Sequence, residues 1–126
     1  MLSSKAIQQS IPDGYPIDSI ASNIFQLQLP NADNEGNDLT GIVAGIVERI
    51  ADVFGGATVS PSHGYWVDSG KSFVESNQTV TVYFADRAYS DVLALLDELR
   101  VLNRYLLKQE CLFVVINTQA YLLKSE

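Results

Sequence analysis

Tyr65-Trp66-Val67-Asp68-Ser69-Gly70-Lys71-Ser72-Phe73-Val74-Glu75 lies at the middle of the chain and decides its fold. Apolar runs flank Asp68-Ser69-Gly70-Lys71, a turn sequence in which Gly70 supplies a positive φ without steric cost. The stretch therefore reads as the tip of a β-hairpin that spans Ala57 to Phe84. Alternation breaks at Asn77-Gln78 and restarts in a new phase at Val80, Val82 and Phe84, which predicts a bulge or bend there.

On each side of the hairpin lies one helix and one strand. Upstream, Ile42, Val43, Ile46, Val47, Ile50, Val53 and Phe54 recur at steps of one, three and four and mark one broad apolar stripe. Asn37 or Asp38 can accept from the free amides at its start, and Gly55-Gly56 provides a left-handed stop. Gly41 and Gly45 lower helix propensity, and a close approach of helix to sheet would explain them. Before this helix, Ile20 to Leu29 alternates Phe25, Leu27 and Leu29 with Gln26 and Gln28, the period of a half-buried strand ended by Pro30. Downstream, Ser90-Asp91 reads as the cap of a second helix with the stripe Val92, Leu95, Leu96, Leu99, Leu102 and Leu106. Cys111 to Ile116 is the last strand, extending at most through Tyr121-Leu122-Leu123.

The order β-α-β-β-α-β predicts an α+β, ferredoxin-like sandwich, with a four-stranded antiparallel sheet and two helices on one face. Residues 1–19, with Pro12, Gly14 and Pro16, read as an N-terminal arm of turns or extended chain, with a short helix over 2–10 as the weaker alternative. Residues 20–126 form the single domain. A chain of 126 residues, 47% of them hydrophobic, has one core and no more, and is too apolar for disorder.

Eight Lys and Arg against fifteen Asp and Glu give a net charge of −7, which counts against nucleic acid as a partner. No apolar run reaches the ~18 residues of a membrane span, and the first ten residues have no apolar segment of a secretory signal. The lone Cys111 excludes an internal disulfide. A cytoplasmic protein is the expectation.

Motifs that carry chemistry are few. Asn31, Asp33, Glu35 and Gly36 imitate the start of a calcium loop, but its twelfth position is Ile42 rather than a bidentate acid. Gly55-Gly56 follows a helix C-terminus, where the dipole repels phosphate. Lys71 follows a glycine but lies in a hairpin turn, outside any strand-loop-helix. No metal and no cofactor is expected. His63 is the only histidine, and acid–base catalysis would pair it with Glu75 or Asp68 on the same hairpin. Exposed aromatics on such a sheet would suit RNA stacking, but Asp68, Glu75 and Asp86 stand where Lys and Arg would be needed.

The run Gly64-Tyr65-Trp66-Val67-Asp68, continued by Glu75-Ser76 and the strand Thr79 to Phe84, resembles a family of small bacterial proteins of unknown function. Its members have a Gly-x-Trp-x-Asp turn within this same element order. The resemblance implies the fold and brings no catalytic residue with it.

The functional expectation rests on the sheet face opposite the helices, which alternation assigns to Gln26, Gln28, Thr79, Thr81, Tyr83, Phe113 and Val115. That mixture is too apolar for a wet surface and too polar for a second core. It fits a non-enzymatic, homo-oligomeric module that binds a small molecule or protein, assembled most simply as a C2 dimer. Its binding or interface residues would be Tyr65, Trp66, Thr81, Tyr83 and Phe113. One alternative is a small enzyme with a pocket at the sheet edge, using His63 with Glu75 or Asp68. Another is an acidic inhibitor or accessory protein of the phage type. Trp66 either faces the helices and joins the core or faces outward as the anchor of an interface; the first is favoured, because a large aromatic beside a turn more often packs than recognises.

Overall fold

The computed structural model describes residues 11–125, so the helix expected over 2–10 lies outside the described residues. Residues 11–22 are exposed and carry neither helix nor strand. The ordered elements are β1 (Asn23–Pro30), α1 (Thr40–Phe54), β2 (Thr58–Asp68), β3 (Lys71–Phe84), α2 (Tyr89–Leu102), β4 (Cys111–Ile116) and β5 (Gln119–Lys124). β1 begins later than its sequence pattern suggests, because Ile20 is 72% exposed and lies outside the ladder.

Five antiparallel strands stand in the order β2-β3-β1-β4-β5. The first four have the ferredoxin-like arrangement; the fifth corrects the expected four-stranded sheet. β5 arises because Asn117-Thr118 turns the chain back on β4, with Asn117 at φ +55°. Its side chain secures the turn to β1, accepting from the Ile24 amide at 3.0 Å and donating to Asn23 at 3.1 Å. What the sequence shows as one prolonged strand is thus a hairpin.

The expected bulge is absent. β2 and β3 pair without interruption from Thr58↔Thr81 to Asp68↔Lys71. The change of phase near Asn77 reflects a change of surroundings rather than of register. β1 covers β3 only as far as Asn77, where it ends at Pro30. Beyond that point, from Gly64↔Glu75 to the turn, the hairpin is a two-stranded arm about 17 Å long at the usual rise per residue. In the arm both faces meet solvent, so inward and outward apolar residues are no longer distinguished. Pro61 lies in the outermost strand, where a residue without an N–H is tolerated when that side faces solvent.

One face of the sheet carries the core. Phe25, Leu27 and Leu29 of β1, Val80 and Val82 of β3, and Val114 of β4 are buried against Val43, Ile46 and Ile50 of α1 and Val92, Leu95 and Leu99 of α2. Both helices therefore lie on the same side.

The Asp38 carboxylate accepts from the Thr40 amide at 2.9 Å, and Gly55 at φ +82° closes α1 in the left-handed conformation. Nothing stands within 4 Å of where a Cβ would be at Gly41 or Gly45, so close packing on the sheet does not explain these glycines. Helix α2 begins at Tyr89 without a side-chain cap, one residue before the expected Ser90. It ends in a π-helical turn over Asn103–Leu107. The extra residue of that turn advances the stripe by one position, so Leu107 is buried and Leu106 is exposed. Asn103 is completely buried, and its amide both donates to the Gln109 carbonyl and accepts from the Gln109 amide, each at 2.9 Å.

Candidate functional site

Strand alternation on the observed register places Ile24, Gln26, Thr79, Thr81, Tyr83, Phe113, Val115 and Leu122 on the face opposite the helices. Gln26 donates to Thr81 at 3.3 Å and Thr79 to Ser62 at 2.8 Å, so part of its polarity is satisfied within the sheet. Tyr83 is 64% exposed and Leu122 71%. Four charged residues occur on this face, Asp68 and Glu75 against Lys71 and Lys124. The open face is therefore neutral, although the chain carries −7.

The same register takes the arm's outward side onto this face. Trp66 lies opposite Phe73 and stacks on it, ring centroids 5.3 Å apart and planes 13° from parallel. Trp66 is 47% exposed and turned away from the helices, the outward of the two placements and not the favoured core one. On that face no helical stripe is available to cover it. Tyr65 and Val67 take the other side of the arm, with Tyr65 75% exposed. Of the five expected interface residues, Trp66, Thr81, Tyr83 and Phe113 share the open face and Tyr65 does not.

Glu75 stands on the open face between Phe73 and Asn77, directly across from Gly64. Gly64 has no side chain, and the Asn77 amide nitrogen stands 3.4 Å from where its Cβ would be. Partial burial raises the Glu75 pKa above the ordinary glutamate range, with desolvation the only cause. Phe73 and Asn77 complete the surroundings of this acid. They become legible once β3 is read as unbroken, since residues two apart share a face.

The expected acid–base set does not assemble. His63 pairs with Ser76 on the opposite side of the hairpin, its Nδ1 3.4 Å from the Ser76 hydroxyl. Alternation turns Glu75 to the other face, and Asp68 is at the tip. The sheet-edge cavity, about 370 Å³, lies between α1 and β2 and is lined by Val43, Ala44, Val47 and Val59 among others. Its single charged residue is Glu48, and none of His63, Asp68 and Glu75 borders it.

In the loop after β1, Asp33 accepts from the amides of Glu35 and Asn37, each at 2.9 Å, and from the Asn37 side chain. Those bonds hold its pKa below the usual range and use the oxygens a calcium ion would need. Among the described residues no group of three or more His, Cys, Asp or Glu is placed to hold a metal. Among the same residues no helix is long and apolar enough to cross a membrane.

No family model matches the sequence, and no curated protein matches it. A phage SAM lyase in complex with S-methyl-5'-thioadenosine superposes with a TM-score of 0.60 and 15% identity, over 88% of this chain and 98% of that one. The PII-like protein CutA from Nostoc sp. PCC 7120 reaches 0.49 with 16% identity, over 77% of this chain and 80% of its own. CutA from Pyrococcus horikoshii reaches 0.47 with 10% identity, over 77% and 83%. At these identities the likeness concerns the fold.

Proposed function

We propose that the chain is the subunit of a small homo-oligomer that assembles through its open sheet face and binds an adenosine thioether or sulfonium beside Glu75. The observation that carries the reading is the Glu75 carboxylate, desolvated on a neutral face and flanked by the Trp66–Phe73 stack. A partly desolvated carboxylate favours a cation beside it, and an aromatic pair offers its surface to a purine or to the sulfonium itself. The fold of the phage lyase extends over nearly all of that protein, which makes its nucleoside ligand class the first to test.

Titration calorimetry with S-adenosylmethionine and with S-methyl-5'-thioadenosine tests this directly. Both should bind, and Trp66→Ala should weaken both. Glu75→Gln should weaken the cationic sulfonium about tenfold, about 1.4 kcal/mol, while leaving the neutral thioether unchanged. Equal losses for the two ligands, or no binding of either, would sink the reading.

A second, enzymatic reading is favoured by one observation, the raised pKa of Glu75. A carboxylate whose pKa burial raises is a stronger base, suited to accept the proton on the carbon next to the one that bears sulfur, so that a C=C bond forms as the C–S bond breaks and its electron pair leaves on the thioether sulfur. His63 has no part in it. Chromatography of S-adenosylmethionine after incubation separates the two readings: release of S-methyl-5'-thioadenosine that Glu75→Gln abolishes means catalysis, and unchanged ligand means binding alone.

A further inference from the structure

Asn77 lies on the open face between Glu75 and Thr79, yet it is only 6% exposed. Its amide nitrogen occupies the place where Gly64 lacks a side chain, so the glycine makes room for it. Polar groups around it are matched: Thr79 donates to Ser62, Gln26 to Thr81, and Gln78, on the other side of the strand, to Asn31. Among the described residues the Asn77 amide has no such partner, whereas every side-chain nitrogen or oxygen sealed from solvent has one. The amide therefore still reaches the solvent side of the sheet. Its donor and its acceptor are open there to a molecule from outside the chain.

We propose that Asn77 selects adenine: its amide oxygen accepts from the exocyclic amino group, and its amide nitrogen donates to the adjacent ring nitrogen, of a nucleoside whose sulfur lies at Glu75. The proposal rests on the adenosine reading above and specifies which residue reads the base. Phe73, Glu75 and Asn77 follow one another on the same face, about 7 Å apart at the usual rise of a strand. With the sulfur at the middle position, the base lies one ribose away, within reach of either neighbour. On the Phe73 side stand two stacked rings, which offer the indole N–H alone and favour the positively charged sulfur. On the Asn77 side is an amide, which matches the edge of adenine with a donor and an acceptor in one plane. Hypoxanthine presents an oxygen where adenine has its amino group, and would leave the Asn77 oxygen buried without a donor.

Calorimetry with two neutral thioethers tests it: S-methyl-5'-thioadenosine, and S-methyl-5'-thioinosine, which carries a carbonyl oxygen in place of the amino group. The wild type should bind the adenine compound about tenfold more tightly, about 1.4 kcal/mol. Asn77→Ala should abolish that preference by weakening the adenine compound alone. Asn77→Val, which keeps more of the bulk in a residue suited to a strand, serves if the alanine variant loses its circular dichroism. A preference that survives in the Asn77 variants overturns the proposal, and so does a wild type that binds both compounds equally. An equal loss of both compounds overturns it as well, because the amide then serves the ribose or the fold rather than the base. In each of these cases the adenosine reading stands. Binding of neither compound by the wild type removes both.

Discussion

The helix-covered part of the sheet and the arm are continuous strands with the same alternation and the same residue types, yet they differ in what the alternation achieves. In the covered part Val80 and Val82 are at most 1% exposed, while in the arm Val74, on the same side of the same strand, is 59% exposed. The β pattern is a local property; burial is decided by whether a helix reaches that far. The covered part therefore holds the monomer together, and the arm is free to serve something outside it.

The largest test of this contrast lies in the core. Leu27→Ala removes a side chain that is completely buried at the centre of β1, and should cost about 3–5 kcal/mol in denaturant titrations. Asn103→Ala should cost about 2–3 kcal/mol, because it breaks both bonds that close the π-turn and leaves the Gln109 amide and carbonyl without them. Melting curves on that variant would show whether the turn is held by its side chain or by Leu107 alone. At Gly55 a side chain must adopt φ +82°, so Gly55→Ala should lose about 1 kcal/mol, although nothing stands within 4 Å of the new methyl. Trp66→Ala, measured in dilute solution on the monomer, should cost less than about 1 kcal/mol, for its stack on Phe73 alone. A loss as large as that of Leu27→Ala would erase the distinction between the two regions.

The smallest effect has the most specific sign. Because desolvation raises the Glu75 pKa in the folded state, the fold binds that proton more tightly than the unfolded chain does. Stability contributed by the protonated form is present below the ordinary glutamate range and is lost as pH rises through the folded pKa. Glu75→Gln should therefore be slightly more stable than wild type at neutral pH and equal to it in acid. Denaturant midpoints at the two pH values check both halves.

Much of the covered part was legible in the sequence. The alternation at Phe25, Leu27 and Leu29 and the stripe of α1 each report contact with a single apolar layer, and the structure places them against each other. Features depending on a single backbone angle or on the extent of a neighbour were not. Nothing local marks Asn117 as left-handed, so β5 merged with β4. The π-turn left no sequence signal, and the stripe of α2 was carried one residue out of step, to Leu106. The arm misled most. Without knowing that β1 ends at Pro30, the outward Phe73 and the inward Val80 read as a slipped register, which left the side taken by Trp66 open. Glu75 was legible as a candidate by residue type, but its separation from His63 by the thickness of the sheet depended on that register.

Pro61 has a consequence for the life of the molecule in a crowded solution. A long outer strand is a template on which other chains add, and runaway addition along it makes fibres. A residue without an N–H in β2 leaves any incoming strand one bond short close to the root of the arm. Growth of the sheet by stacking strand on strand is thereby discouraged, while contacts made by side chains on its two faces are unaffected. The protein can keep a protruding hairpin with exposed apolar faces without offering that hairpin's edge to every unfolded neighbour.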